Sequence, residues 1–362
     1  PLEEAIKGVD ATGYVTYQYN DRKVTDGVST QQNVYKAALT LTVPAADDVK
    51  LKVTGTTARA QLGGDSDANA ATSVSEANFT YTGVQNLTVI AGKQAMNTPW
   101  TEGSSVINNT QTGAGVLALY NAGFATLAAA HFTTNNTSTG NANVEANDIS
   151  VVAAIVPVMD VATAQIWYAN IGADANGALL TEGADALVVS ADANIMDVAK
   201  LTVAHAELDP DKNTPVKKQE LDKVILSGNA GPVALAAGYA KGGKNGSLVA
   251  FDDDASAGFK GWDVSANKTV PELKAYLLKA GIDVLPSVNL SVTHVNAKSG
   301  DSAVDGKWKE TYGQITYKHN ANLSAFVRYG TEKQTETFAT VLSSSADDVK
   351  IKKGRLEICY KF

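Results

Sequence analysis

The chain has one cysteine, no long apolar run and no large excess of either charge. Because Cys359 has no second cysteine to pair with, an internal disulfide is excluded. No segment approaches the roughly 18 consecutive apolar residues that a membrane-spanning helix needs, so helical spanning is excluded as well. A net charge of −8 over 362 residues argues against a nucleic-acid-binding surface. A membrane barrel is compatible with all three absences, because its spanning segments are short and half polar.

Motifs with catalytic or metal-binding spacing are also missing. No G-x-S-x-G, P-loop or H-E-x-x-H motif occurs in the chain. The acidic run 252–254 lacks the spaced ligands of a calcium loop, and we interpret it as the solvated face of a long loop. We therefore predict that the chain is not an enzyme and that it binds no cofactor. The histidines lie far apart, so each is interpreted as lining a lumen or lying at an interface: His131, His205, His294 and His319.

Residues 351–362 show what the chain does contain, which is alternation of apolar and polar side chains. Because successive side chains of a strand point to opposite faces, this pattern predicts a strand with one apolar and one wet face. Similar alternation occurs at 11–20, 35–43 and 49–55. In the last strand the apolar side carries Leu356, Ile358, Tyr360 and Phe362, and the polar side carries Arg355, Glu357, Cys359 and Lys361.

The connections between such segments alternate between long and short. Nine long and eight short connections predict eighteen strands, with sixteen as the alternative count, in one barrel domain over 1–362. The fold class is therefore all-β, an antiparallel up-and-down transmembrane barrel with long loops on one rim and short turns on the other. An even number of strands allows the last strand to pair with the first and leave no edge. The long connections are predicted at 22–32, 61–73, 97–112, 133–146, 172–183, 210–218, 241–268, 297–307 and 332–350.

The segment 269–280 is the least certain strand, because its apolar residues also fit an amphipathic helix. We assign it as a strand, since the alternation of connections requires one there. The chain begins with Pro1 rather than Met, and this predicts a secretory signal that has been removed, although a trimmed chain would look the same.

The third long connection, 97–112, is expected to fold back into the lumen and narrow it. A charge carried on such a loop lies where low-dielectric walls focus the electric field, and this loop carries Glu102. Basic side chains of the wall would face it and sort solutes by charge and dipole. The alternative is that these charges only keep a wide lumen wet. The predicted basic residues of the constriction are Lys36, Lys50, Lys52, Arg328 and Arg355.

Three stretches of the chain resemble a known family. They are PLEEAIKGVDATG at 1–13, VIAGKQ at 89–94 with NTPWTE at 97–102, and YKF at 360–362. These stretches resemble the trimeric major outer membrane porins of Campylobacter and its relatives. The resemblance implies an eighteen-stranded outer-membrane barrel, a homotrimer surrounded by outer-membrane lipid, and passive diffusion of small hydrophilic solutes and ions, often favouring cations. It also places Lys36 where the family has a basic residue, and Glu102 after the Trp-Thr pair.

The chain departs from that family in one respect. Members can hold calcium near the constriction with acidic residues around the third loop, but here only Glu102 is acidic between 97 and 112. This argues against a calcium site, and we predict no bound metal.

Three functions are compatible with these patterns. The leading prediction is a general diffusion porin, which needs no catalytic group because flux follows the solute gradient through a water-filled lumen. The first alternative is a substrate-specific channel with a lumen that binds one class of solute. The second alternative is a surface adhesin or soluble β-rich protein, in which long polar loops such as 133–146 would be the working parts.

Overall fold

A computed structural model describes residues 8–25, 27–57, 60–62, 71–101, 111–136, 138–139, 142–143, 148–173, 183–196, 198–211, 216–252, 254–301, 306–335 and 349–362. Within these residues, eighteen strands form one closed antiparallel sheet, joined by a short extra segment, Ala60–Leu62, that continues the pairing of the third strand with the second. The predicted eighteen-stranded all-β barrel is therefore confirmed. In the described part of the chain, no helix is long and apolar enough to cross a membrane.

The barrel strands are numbered in chain order. They are β1 Asp10–Val24, β2 Thr30–Ala46, β3 Val49–Thr57, β4 Thr72–Val84, β5 Leu87–Ala95, β6 Thr112–Asn121, β7 Thr126–Asn135, β8 Ile149–Val158, β9 Ala162–Ile171, β10 Ala184–Ile195, β11 Ala199–Pro210, β12 Gln219–Ala230, β13 Val233–Gly242, β14 Lys274–Leu285, β15 Val288–Lys298, β16 Lys307–Lys318, β17 Leu323–Gln334 and β18 Val349–Lys361. One turn of 3-10 helix, Met159–Val161, joins β8 to β9, and the two-residue strands Ser138–Thr139 and Ala142–Asn143 pair with each other.

The ring closes between the last strand and the first. Tyr17 of β1 lies opposite Ile358 of β18 in an antiparallel register. The pairing extends past the end of β18, because the Gly13 amide donates to the Phe362 carbonyl at 2.9 Å and the Phe362 amide donates to the Gly13 carbonyl at 3.0 Å. These bonds pair the first strand with the last, so neither is a free sheet edge. A free edge would expose unpaired backbone groups to lipid, which is very unfavourable.

Connection lengths alternate as predicted, but the bounds of most long connections shift by one to five residues, as two of them illustrate. Loop 1 covers only 25–29 instead of 22–32, because β1 and β2 stay paired up to Arg22 and Thr30. The segment 269–280 is not a strand from its start, because β14 begins at Lys274 and 269–273 belong to the preceding connection. Loops 2 to 9 cover 58–71, 96–111, 136–148, 172–183, 211–218, 243–273, 299–306 and 335–348.

The outward face of the sheet is apolar, as the alternation predicts, but the predicted polar inward face is found on β1 to β4 and β16 to β18 and not on β7 to β15. Outward side chains such as Val327, Tyr329 and Leu278 are more than half exposed, which is typical of a lipid-facing belt. Inward side chains of β7 to β15 are mostly small and apolar, including Ala169 and Ala206, and they are buried. Because these inward apolar groups do not meet water, something must cover them inside the barrel, and loops 3 and 7 do so.

Candidate functional site: the lumen beside loop 7

The sequence predicted five basic side chains on the lumen wall. Each occupies an inward position, because its strand neighbours on either side point outward: Lys36 on β2, Lys50 and Lys52 on β3, Arg328 on β17, and Arg355 on β18. Arg328 and Arg355 are register partners on adjacent strands, whereas Lys50 lies near the turn end of β3. The role of these residues in a constriction stays a prediction.

Loop 3 enters the barrel at both of its described ends. Trp100 is almost completely buried, and its carbonyl accepts the Phe251 amide at 2.8 Å. The Pro99 carbonyl accepts the Ala257 amide at 2.7 Å, and Gln111 donates to the Phe251 carbonyl at 2.9 Å. Glu102 lies in 102–110, outside the described residues, so its predicted place in the constriction stays a prediction. Any calcium site built on this loop falls in the same stretch.

Loop 7 is the element that sequence reasoning missed. It lies inside the barrel and packs Val249, Phe259 and Val264 against the apolar part of the wall. Lys223 of β12 holds it by donating to the Gly258 carbonyl at 2.7 Å and to the Ser256 carbonyl. The clue in the sequence was composition, because a solvated loop rarely carries as many aromatic residues as this one does.

The interpretation of the acidic run as a solvated face was wrong for Asp254, whereas the middle residue of the run lies outside the described residues. The Asp254 carboxylate pairs with the Lys260 ammonium at 3.0 Å, and both side chains are about four-fifths buried. The physical reason is that the loop folds over the inner wall instead of projecting into water.

Lys353 of β18 is the centre of the contact between loop 7 and the wall. Its ammonium donates to Asp263 of loop 7 at 2.8 Å, to Glu310 of β16 at 2.8 Å and to Glu332 of β17 at 2.9 Å. The side chains of Lys353, Glu310 and Glu332 are 4%, 0% and 1% exposed. Arg22 of β1 adds a second cation, 3.3 Å from Asp263. We call these five residues the Lys353 cluster.

Backbone donors complete the Lys353 cluster. The carboxylate of Glu310 accepts the backbone amide of Trp262 and, at 3.0 Å, the backbone amide of Asp263. Glu310 therefore binds the backbone of loop 7 directly, and it also binds the Lys353 ammonium, which pairs with the side chain of Asp263. A buried carboxylate needs this full set of partners, because an unpaired buried charge is very unfavourable.

The ring of Trp262 lies among the cations of the wall. The Lys353 ammonium is 4.6 Å from the ring centroid, and the guanidinium carbons of Arg328 and Arg355 are 5.0 and 5.4 Å from it. Tyr312 of β16 meets the ring edge-on, with centroids 5.7 Å apart. Each cation over an aromatic face contributes about 0.5–2 kcal/mol, so this indole fixes the position of loop 7 against β16 to β18.

Polar groups line the wall beside this contact. Arg355 donates to Asn20, which donates to Gln18, and Gln18 donates to Glu357, with distances of 2.7 to 2.9 Å. Further around the ring, Lys52 pairs with Glu76 at 2.9 Å.

Open space remains along this part of the wall. A cavity of about 500 Å³ is bordered by Lys36, Thr40, Thr54 and Glu76 of β2 to β4. The inner side of β1 to β4 therefore borders open space lined mostly by polar side chains.

The Lys353 cluster should depend on pH through Asp263. Burial raises the pKa of the Asp263 carboxyl. The positive charges of Lys353 and Arg22 lower it by more than burial raises it, so the pKa lies below the usual value of about 3.9. Such a group stabilises the folded state above its unfolded pKa, and the contribution is lost as the pH falls through the folded pKa. We expect single-channel conductance to stay constant from pH 7 to about pH 5 and to change only below about pH 4.

The variant Asp263→Asn provides the control for this pH dependence. Because it lacks the titrating carboxyl, its conductance should differ from wild type already at pH 7, when measured in the same planar bilayers. A wild-type transition between pH 7 and pH 5 would contradict the assignment to Asp263.

Comparisons with known proteins found one matching family and several solved structures with a similar fold. A family model described as Campylobacter major outer membrane protein matches residues 1–362. Among solved structures, OpdO of Pseudomonas aeruginosa is 14% identical with a TM-score of 0.77, and the match covers 100% of this chain and 99% of that chain. A BenF-like porin from Pseudomonas fluorescens Pf-5 is 12% identical with a TM-score of 0.80, covering 99% of each chain. None of the curated proteins matches the chain.

Proposed function

Because this chain belongs to the Campylobacter major outer membrane protein family, it is an outer-membrane channel for passive solute diffusion. We propose that it is a general diffusion porin for small hydrophilic solutes and ions. It is a channel and not an enzyme. The observation that supports general diffusion is the polar cavity on the inner side of β1 to β4. Its border mixes hydroxyl groups with charges of both signs, Lys36 and Glu76 among them, and such a surface favours hydration over binding of one solute.

A substrate-specific channel is the second candidate, and one observation favours it. Arg328 and Arg355 lie side by side on neighbouring strands, and both pack on Trp262. Guanidinium groups bind carboxylates in a fixed geometry, so a solute that carries a carboxylate could bind here.

Whether the channel prefers cations or anions depends on the charges that line its lumen. The family resemblance predicts a preference for cations, and we retain that prediction. The described wall near Trp262 is balanced in charge, because Arg22, Arg328, Lys353 and Arg355 carry four positive charges and Asp263, Glu310, Glu332 and Glu357 carry four negative charges.

Liposome swelling separates the two candidates. A general diffusion porin should give rates that fall smoothly with the size of neutral sugars and rise linearly with concentration. Small carboxylates should then enter no faster than neutral solutes of the same size. Saturable uptake of carboxylates, lost in the variant Arg328→Gln, would favour the specific channel and contradict general diffusion.

We also propose that the channel is a homotrimer. The outer face of β8 to β12 forms a groove of about 720 Å³ bordered by small side chains, including Ala154, Ala164 and Ala191. His205 and Asp222 face outward at this groove, 2.7 Å apart. Charged groups on a lipid-facing surface are destabilising, and a neighbouring subunit would cover them. A molecular mass of one subunit in mild detergent, measured by light scattering, would contradict this.

A further inference from the structure

Lysines follow the outer face of the barrel near the rim that carries the long loops. Most are exposed, and each shares its strand face with lipid-facing apolar side chains, as Lys274 does with Leu278 and Lys333 with Val327. Together they cover β13 to β18 and return to β1. We call this set the lysine arc: Lys241, Lys274, Lys298, Lys307, Lys309, Lys333, Lys350, Lys352 and Lys23.

Neighbouring strands place these lysines directly opposite one another. The register pairs Lys241 with Lys274, Lys274 with Lys298, and Lys298 with Lys307. The register also pairs Lys309 with Lys333, Lys333 with Lys350, and Lys352 with Lys23. Like charges directly opposite on adjacent strands repel each other, so this register concentrates positive charge along one part of the rim and favours the approach of anions.

The lysine arc ends where carboxylates begin. At its edge Lys241 lies opposite Asp222 of β12. Farther along, the outward positions of β10 to β12 near the same rim carry Asp185, Glu207 and Glu220. Lys218 pairs there with Glu207 at 3.0 Å and with Glu220 at 3.4 Å, so among the described residues the rows of opposed lysines belong to one side of the barrel.

Depth in the membrane identifies the kind of anion. In outer-membrane barrels the long loops face the cell exterior, so the arc lies where the apolar belt meets the head groups of the outer leaflet. Lysine side chains in such positions extend along the apolar surface and place the ammonium at head-group level. Phosphate groups there offer several acceptor oxygens to each ammonium, and a row of them would separate the opposed lysines.

We propose that the lysine arc binds the phosphate groups of an anionic lipid of the outer leaflet. The lipid chains would lie against Tyr276, Leu278 and Val327 below the arc, while its phosphates bridge lysines of adjacent strands. This assignment uses the outer-membrane location of the channel but not its solute, so either inference can fail without the other.

The test compares charge-removing and charge-retaining variants of the full chain. Four lysines of the arc are replaced together by glutamine, and in a matched control by arginine: Lys274, Lys307, Lys309 and Lys350. Purified protein in detergent is mixed with bisphosphorylated lipid A, with dephosphorylated lipid A, or with inorganic phosphate alone. Bound lipid is counted by native mass spectrometry at low and high salt.

We expect wild type and the arginine variant to retain bisphosphorylated lipid A equally. The glutamine variant should bind at least about tenfold more weakly, because each lysine near an anionic surface contributes roughly a fivefold gain in affinity. Dephosphorylated lipid A should bind wild type as weakly, and inorganic phosphate should compete only at high concentration. Equal binding of the phosphorylated and dephosphorylated lipid by wild type would overturn the proposal even if the glutamine variant does not fold.

Discussion

Replacing Lys353 with methionine should destabilise the barrel by about 3–5 kcal/mol, the usual cost of removing one partner from a buried ion pair. The ammonium contacts Asp263, Glu310 and Glu332 within 2.9 Å, and two of these carboxylates are completely buried. Without Lys353 the three negative charges lose the cation they share, although Arg22 still contacts Asp263 at 3.3 Å. The change in free energy of unfolding is measured by urea titration in detergent micelles.

The same variant should also alter the channel. Loop 7 would lose its ammonium contact and the cation 4.6 Å above the ring of Trp262, so it would be held by Glu310 and Lys223 with fewer bonds. We expect flickering single-channel currents and faster cleavage of loop 7 by protease.

Lys318→Met is the matched control, because it removes an exposed lysine at the turn end of β16. Its unfolding free energy should stay within about 0.5 kcal/mol of wild type. If Lys353→Met is as stable as wild type and its currents are equally quiet, the Lys353 cluster does not anchor loop 7.

The strands and their order could be predicted from the sequence because their signal is local. Successive side chains of every strand point to opposite faces, and on β1 to β4 and β16 to β18 an apolar outer face contrasts with a polar inner one. On β7 to β15 the contrast is weaker, because loops 3 and 7 cover an apolar inner wall. Residues such as Leu356 and Arg355 therefore show their faces without any knowledge of neighbouring strands. The alternation of long and short connections predicted the up-and-down order of the strands, because connection lengths can also be counted along the sequence.

The Lys353 cluster could not be predicted in this way, because it depends on register and on distant contacts. Lys353, Glu332 and Glu310 come from three adjacent strands, and Asp263 is ninety residues away from Lys353 along the chain. Alternation places Lys353 on the same face as Arg355 but does not say which carboxylates lie beside it. Loop 7 was missed for a related reason, since its burial comes from the wall it covers and its own sequence has no period.

The register of the outer lysines illustrates the same limit. Alternation alone would place Lys333 and Lys350 on outward faces, yet only the strand pairing shows that they lie opposite each other. Their functional meaning follows from that opposition and not from the presence of two basic residues.

Replacing Arg328 and Arg355 together with glutamine should shift the ion selectivity strongly toward cations. Both are inward on adjacent strands, and both lie within 5.4 Å of the same indole beside the lumen. At an effective dielectric constant of about 20, a unit charge about 10 Å from the ion path changes the energy of a monovalent ion by about 1.7 kcal/mol. Salt at about 0.1 M screens this to about 0.6 kcal/mol, or roughly threefold per charge for each ion.

Cations gain and anions lose by this factor for each charge removed, so the cation-to-anion permeability ratio should rise about ninefold per arginine and several tens of fold in the double variant. The reversal potential under a salt gradient measures that ratio, and the shift should grow as the salt is diluted because screening weakens. The variant Arg328→Lys with Arg355→Lys keeps both charges and should keep the wild-type reversal potential, even though it loses the planar contact with Trp262. A glutamine variant with an unchanged reversal potential would mean that ions pass along the wall of β2 to β4, where Lys36, Lys52 and Glu76 would then set the selectivity.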